Sequence, residues 1–250
     1  MPGDSLTVKL LVTCGCLLAG SWGLSFVLHP DQETRLNSFA MRILASDRFG
    51  GLDALVPDLD AAEAHRLCNA LELRSDVVIR TRLHEEAIAA ADPKLADRHL
   101  KALRTVVDRA IACAPTEGFL WFMRYWVRIN QGAEAGHELE NLAMSYRQAP
   151  VEGWIAVRRN AYALAVYELL AEDQRRAVST EFAALVNSGL LAVAVRNLLG
   201  PGWPTRDRLL QELERTDPAM RYHFARMVRE EGADLAVPGV ALRDPLGWRR

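Results

Sequence analysis

The sequence predicts an all-α chain: an N-terminal transmembrane helix followed by a short, solenoid-like domain of αα-hairpin repeats. Three observations point there. Residues 10–28 form a run without a single charge. Beyond it, no segment sustains period-two alternation between hairpin turns, so strands have no signature. A tag of the form AP-x-EG-aromatic-aliphatic occurs twice, as APTEGFLW from Ala114 and APVEGWIA from Ala149, 35 residues apart.

Composition bounds the function. The chain has 250 residues, 50% of them hydrophobic and 25% charged, with a formal net charge of −2. A nucleic-acid binder would show a basic excess, so nucleic acid is not an expected partner. Three lysines, Lys9, Lys94 and Lys101, stand among 30 basic side chains, and the rest are arginines. Arginine is the better choice for bidentate anion contacts. The organisation read from the sequence is a tail at 1–9, an anchor at 10–28, and a linker with a first helix at 29–49. A helical repeat-like domain follows at 50–233, then an extended tail at 234–250.

The anchor is LLVTCGCLLAGSWGLSFVL. As a helix it spans roughly 28 Å, close to the hydrocarbon thickness of a bilayer. A cleaved signal peptide has a shorter apolar core and a small-x-small site, neither of which is present. Lys9 precedes the segment and Arg35, Arg42 and Arg48 follow it, so the positive-inside rule does not fix the orientation. A short N-terminal tail ordinarily stays in the cytoplasm. The expectation is therefore a single-pass inner-membrane protein with its remaining domain in the periplasm. Cys14 and Cys16 fall in the anchor as small apolar residues. Cys68 and Cys113 pair in an oxidising compartment or remain two buried thiols.

Helices are expected from Glu33 to Ser46, Asp58 to Leu73 and Asp76 to Ala91, the last two opening on acids that suit the helix dipole. The next has Pro93 at its first position, with Leu95, Leu103, Val106, Val107, Ala110 and Ile111 on one face. In each tag, Pro115 or Pro150 ends a helix because it lacks a donor and clashes with the preceding turn. Glu117 or Glu152 then lies near the positive end of the next helix. Gly118 or Gly153 lets a neighbouring backbone approach. Between the tags lie helix, NQGAEAG turn and helix, so 35 residues carry one hairpin. Self-similarity at this period is the mark of an αα solenoid.

The period, the helix pairs and the proline at the unit boundary resemble tetratricopeptide-type repeats over roughly Asp92 to Ser188. The aromatic–Leu–Gly–Tyr positions of that family hold Phe122, Tyr125, Trp126 and Ile129 here. Its first small position in the second helix is Glu138, and its later one is Ser145. The resemblance implies a surface for partner proteins. The stretch MSYRQAPVEGWIAVRRN, with the later GPGW, is similar to small anchored proteins that accompany bacterial envelope-polysaccharide genes. That likeness implies partners among polysaccharide-assembly membrane proteins and brings no catalytic residues.

No nucleophile elbow, zinc-protease motif, phosphate loop or dinucleotide fingerprint is present, and the six histidines lack metal-ligand spacing. Neither a cofactor nor a metal is expected. Arg124 and Arg159 are one repeat apart, with Arg128 a turn after the first and Arg158 beside the second. Around them lie Trp121, Phe122, Tyr125, Trp126, Trp154 and Tyr162. Arginine among aromatic platforms suits a groove for an acidic peptide or anionic sugar. The commoner use of the same pattern is a packed inter-repeat core, with each arginine paired to an acid such as Glu138, Glu140 or Glu168. The reading is a membrane-anchored adaptor for partner proteins in envelope-polysaccharide assembly or export. The alternatives are a glycan-acting enzyme using Glu117 and Glu152 as paired carboxylates, and a cytoplasm-facing scaffold. A Gly/Pro break near GPGW, a helix from about Thr205, a TDP turn and a helix from Pro218 to Glu231 complete the chain and cap the array.

Overall fold

A computed structural model describes residues 12–17, 20–21, 30–45, 47, 50–64, 68–150 and 152–241. All regular structure among them is helical. Residues 12–17 and 20–21 are helical and exposed, but most of the expected 10–28 anchor lies outside the described residues. Among the described residues, no helix is long and apolar enough to cross a membrane. The helices are α1 (Pro30–Leu44), α2 (Val56–Ala64), α3 (Ala70–Ala89), α4 (Pro93–Cys113), α5 (Gly118–Asn130) and α6 (Leu139–Gln148). They continue as α7 (Gly153–Ala165), α8 (Glu172–Asn187), α9 (Leu191–Leu199), α10 (Arg206–Glu212) and α11 (Pro218–Glu230). The chain forms two compact units, Met1–Val106 and Val107–Arg250, and the division falls within α4.

In the first unit α1 packs along α3, and Leu36, Ala40, Leu59, Val77 and Leu83 are buried. A short 3-10 turn at Leu52–Leu55 leads into α2 and buries both of its leucines. The single helix expected from Asp58 to Leu73 is in fact two, because Asn69 opens a new one. Its side chain accepts a hydrogen bond from the Glu72 N–H, satisfying one of the donors orphaned at a helix start. The signal N-A-L-E was present in the sequence. The continuous apolar pattern on either side of it masked the break.

Four helices end in the same way. After α3, the Ala91 N–H bonds the Ile88 carbonyl and the Asp92 N–H bonds that of Ala87. The paired bonds recur at Gly132 after α5, Gly189 after α8 and Gly232 after α11. Each of these four residues has positive φ, so glycine is the favoured choice and Ala91 is the strained exception.

In the second unit α5 and α6 form one hairpin, and α7 and α8 form the next, as the tags predict. The two tags also have the same backbone geometry. Glu117 has φ −83° and ψ 101°, and Glu152 has φ −83° and ψ 103°. Their glycines differ. A Cβ on Gly118 would collide with the Ala149 Cβ and come within 3.0 Å of the Ser145 carbonyl oxygen, whereas one on Gly153 would meet open space. Close approach is needed only in the first tag.

Helix α8 departs from a one-dimensional array. It packs not only on α7 but also on α6, α9, α10 and α11. Val178, Phe182, Leu185 and Val186 on it are buried, and Phe182 meets Phe224 of α11 edge-on at 5.9 Å. The C-terminal helices therefore gather round α8. Residues beyond α11 follow: Val237 is buried, and Gly239 lies against the Arg221 guanidinium, so the first part of the expected extended tail is packed. Trp248, Arg249 and Arg250 lie outside the described residues.

Candidate functional site

The residues nominated from the tags divide by burial. Tyr125 and Trp126 are in the core with Phe122, while Tyr162 is half-buried and accepts a 2.8 Å hydrogen bond from the Trp126 indole. Tyr162 also meets Phe122 and Tyr125 edge-on. Burial above all, helped by Tyr162 and Glu138, pushes the Tyr125 hydroxyl up to about 12, so it stays protonated. These aromatics join the two hairpins, and Phe119 against Trp154, 4.8 Å between ring centres, extends the seam.

Arg159 is the centre of the second unit and has no exposed surface. Its guanidinium pairs through Nε and Nη2 with Glu181 of α8, which is equally enclosed. Nη1 donates to the Ser145 carbonyl at 2.9 Å and to the Ser145 hydroxyl at 2.9 Å, and Nη2 donates to the Ala149 carbonyl at 2.8 Å. Those carbonyls belong to the C-terminal end of α6, where a helix is electronegative and lacks donors. The cation therefore caps α6 from inside, stacked 4.0 Å from the centre of the Tyr146 ring.

The network continues on both sides. Tyr146 donates to Glu181 at 2.6 Å, and its hydroxyl is held well above its ordinary value by burial first and the Glu181 charge second. The Ser145 hydroxyl donates to the Gly118 carbonyl at 2.8 Å, which returns the network to the first tag. Asn160 donates to the Val178 carbonyl and accepts from Asn197 of α9 at 3.0 Å. Five helices, α5 to α9, thus share one buried chain of polar groups. A buried pair offsets its desolvation only with this density of extra bonds. Arg159 serves the fold and presents nothing to a groove.

Arg124, one repeat earlier, is different. Its side chain is 34% exposed, lies 3.3 Å from Asp108 and sits 5.9 Å from the Trp121 ring centre. The position one repeat before Glu181 is Tyr146, so the carboxylate that draws Arg159 inward does not recur. Arg128 is half-buried and Arg158 exposed. The Trp121 indole donates to the Pro115 carbonyl at 2.7 Å, and the exposed Trp154 indole donates to Glu152 at 2.9 Å. Neither Glu117 nor Glu152 caps its helix through its side chain. Of the acids named from sequence, Glu140 pairs with Arg147, Glu168 with Arg175 and Glu138 with Asn141.

Sequence reasoning missed Glu181, Asn160 and Asn197. The signal for Glu181 was available: it shares a helical face with Val178, Phe182 and Leu185, and an acid in an apolar stripe needs a buried partner. No group of three or more His, Cys, Asp or Glu side chains among the described residues is arranged to hold a metal ion. An open cleft of about 570 Å³ between α8 and α10 is lined by Arg176, Arg208 and Arg215 together with Asp207, Glu212 and Glu214. Its charges are mixed, and Arg208 is committed to Glu172. Cys14 and Cys16 are free thiols; Cys68 and Cys113 are not among the free thiols. Comparison with protein families, with curated proteins and with solved structures gives no match.

Proposed function

We propose that the chain is a membrane-held helical adaptor whose second unit binds a partner protein through the surface around the two tags. The observation that carries this reading is a division of labour within one motif. The buried half, Tyr125, Trp126 and Arg159, is spent on rigidity, while Trp121, Arg124, Trp154 and Arg158 remain wholly or partly at the surface. Tryptophan and arginine on a rigid scaffold are the side chains that most often carry binding energy at protein interfaces. Envelope-polysaccharide assembly as the setting rests on the sequence resemblance. Attachment through residues 10–28 rests on their length and lack of charge. Glu152 accepts a 2.9 Å hydrogen bond from the exposed Trp154 indole, which sets that tryptophan at the surface around the second tag.

The test uses a photo-crosslinking amino acid at Trp154 in the full chain in its native membrane. A discrete adduct is expected, and Arg158→Glu combined with Arg124→Glu should abolish it while helicity is retained. Absence of any adduct, or one indifferent to both charge reversals, would sink the adaptor reading. Sidedness is checked separately with phosphatase and fluorescent-protein fusions after Arg250. Active phosphatase with a dark fluorescent protein is expected; the opposite result places the domain in the cytoplasm. The periplasmic outcome also predicts that Cys68 and Cys113 are joined, which peptide mapping without reductant would detect.

A further inference from the structure

Two histidines among the described residues of the first unit are buried, and only one of them is satisfied. His84 Nδ1 lies 2.9 Å from the Ala96 carbonyl oxygen. His99, on α4, is 6% exposed, and its Nε2 has no hydrogen-bond partner. The nearest acid is Asp53, whose carboxylate lies 3.7 Å away and faces solvent. Asp53 belongs to the Leu52–Leu55 turn, which is pinned by its two buried leucines. The other charged or titratable groups whose charge acts on His99 are Arg80 and His84 from α3 and Arg98 from α4. Arg80 is itself buried and is held charged by Asp76 at 2.7 Å and Asp60 at 3.0 Å.

A proton added to Nε2 would therefore sit in an enclosed position beside positive charge, opposed only by one solvent-facing carboxylate. We propose that His99 and Asp53 form an acid-released latch: with His99 neutral the Leu52–Leu55 turn lies closed on α2 and α3 with Asp53 beside His99, and protonation of His99 loosens it.

The direction follows from linkage. Burial, opposed by Asp53 and reinforced by Arg80, Arg98 and His84, holds the His99 imidazole below its ordinary value. The opened segment takes up its proton first, near pH 6.5. The closed packing is thus fully favoured above that pH. It weakens as the pH falls through this point and levels off below the value of the closed state.

Hydrogen exchange of the full chain in detergent, corrected for the pH dependence of chemical exchange, reads this out. Between pH 7.4 and 5.5, peptides covering 50–56 and 95–103 should lose protection several-fold, with a ceiling of about tenfold set by an opened-state histidine near 6.5. Peptides from α7 should keep theirs. His99→Gln should abolish the loss, and Asp53→Asn should enlarge it by removing the one stabilising charge. The latch is overturned by unchanged protection in 50–56, by an equal loss in α7, or by a loss in His99→Gln that matches the parent. If His99→Gln does not fold, Asp53→Asn decides: a loss no larger than the parent's overturns the proposal.

Discussion

Two arginines in the same repeat position have opposite fates, and the difference is a single carboxylate. Arg159 meets Glu181 and is among the largest fully buried side chains of the described residues, whereas Arg124 meets the half-exposed Asp108. Breaking a buried pair from one side leaves an uncompensated charge and costs about 3–5 kcal/mol. Arg159→Ala should therefore unfold at markedly lower denaturant, while Arg124→Ala should lose no more than about 1 kcal/mol. Equal effects in chemical denaturation would refute this assignment. The tag glycines give a second contrast. Gly118→Ala forces a methyl into Ala149 and the Ser145 carbonyl and should cost about 1–3 kcal/mol. Gly153→Ala meets open space and should stabilise by up to about 1 kcal/mol through helix propensity.

Among the elements, helix ends show where local chemistry decides. Asp217 accepts from the Ala219 and Met220 N–H groups at 2.9 and 3.1 Å, with Pro218 at the first helical position. Asp217→Ala should cost about 1 kcal/mol. At the other end of a helix, Ala91 holds φ 55° where the three equivalent positions are glycine. Ala91→Gly removes that strain while leaving both terminal bonds of α3 in place, and should raise stability by about 1 kcal/mol. A lower melting temperature for Ala91→Gly would show that the alanine methyl contributes packing that outweighs its backbone cost.

At the scale of the molecule, α8 replaces the linear order of a solenoid with a centre. A repeat array has nearest-neighbour interfaces only, but α8 touches α6, α7, α9, α10 and α11. Phe182, with no exposed surface, sits at this junction. Phe182→Ala should cost about 3–5 kcal/mol. The second unit should then lose helicity in one cooperative step, rather than one hairpin at a time. Stepwise melting from the C-terminal end would instead restore the solenoid picture.

What the sequence by itself determined was periodic or local. The absence of strand patterning determined the all-α class. The 35-residue spacing located two hairpins and their identical starts. Proline at 93 and 218 and glycine at 132, 189 and 232 set helix boundaries, because φ restrictions act within a residue or two. Asn69 was equally local, but it was obscured by an apolar pattern that ran through it. The tertiary structure decided everything that depends on which residues meet across long separations. Periodicity placed Arg124 and Arg159 on equivalent faces, yet only the packing of α8 delivered Glu181, 22 residues after Arg159, and drew one arginine inside. The burial of His99, whose Nε2 lacks a hydrogen-bond partner, has the same origin. A side chain's charge is written in the sequence, but its solvation is set by its neighbours.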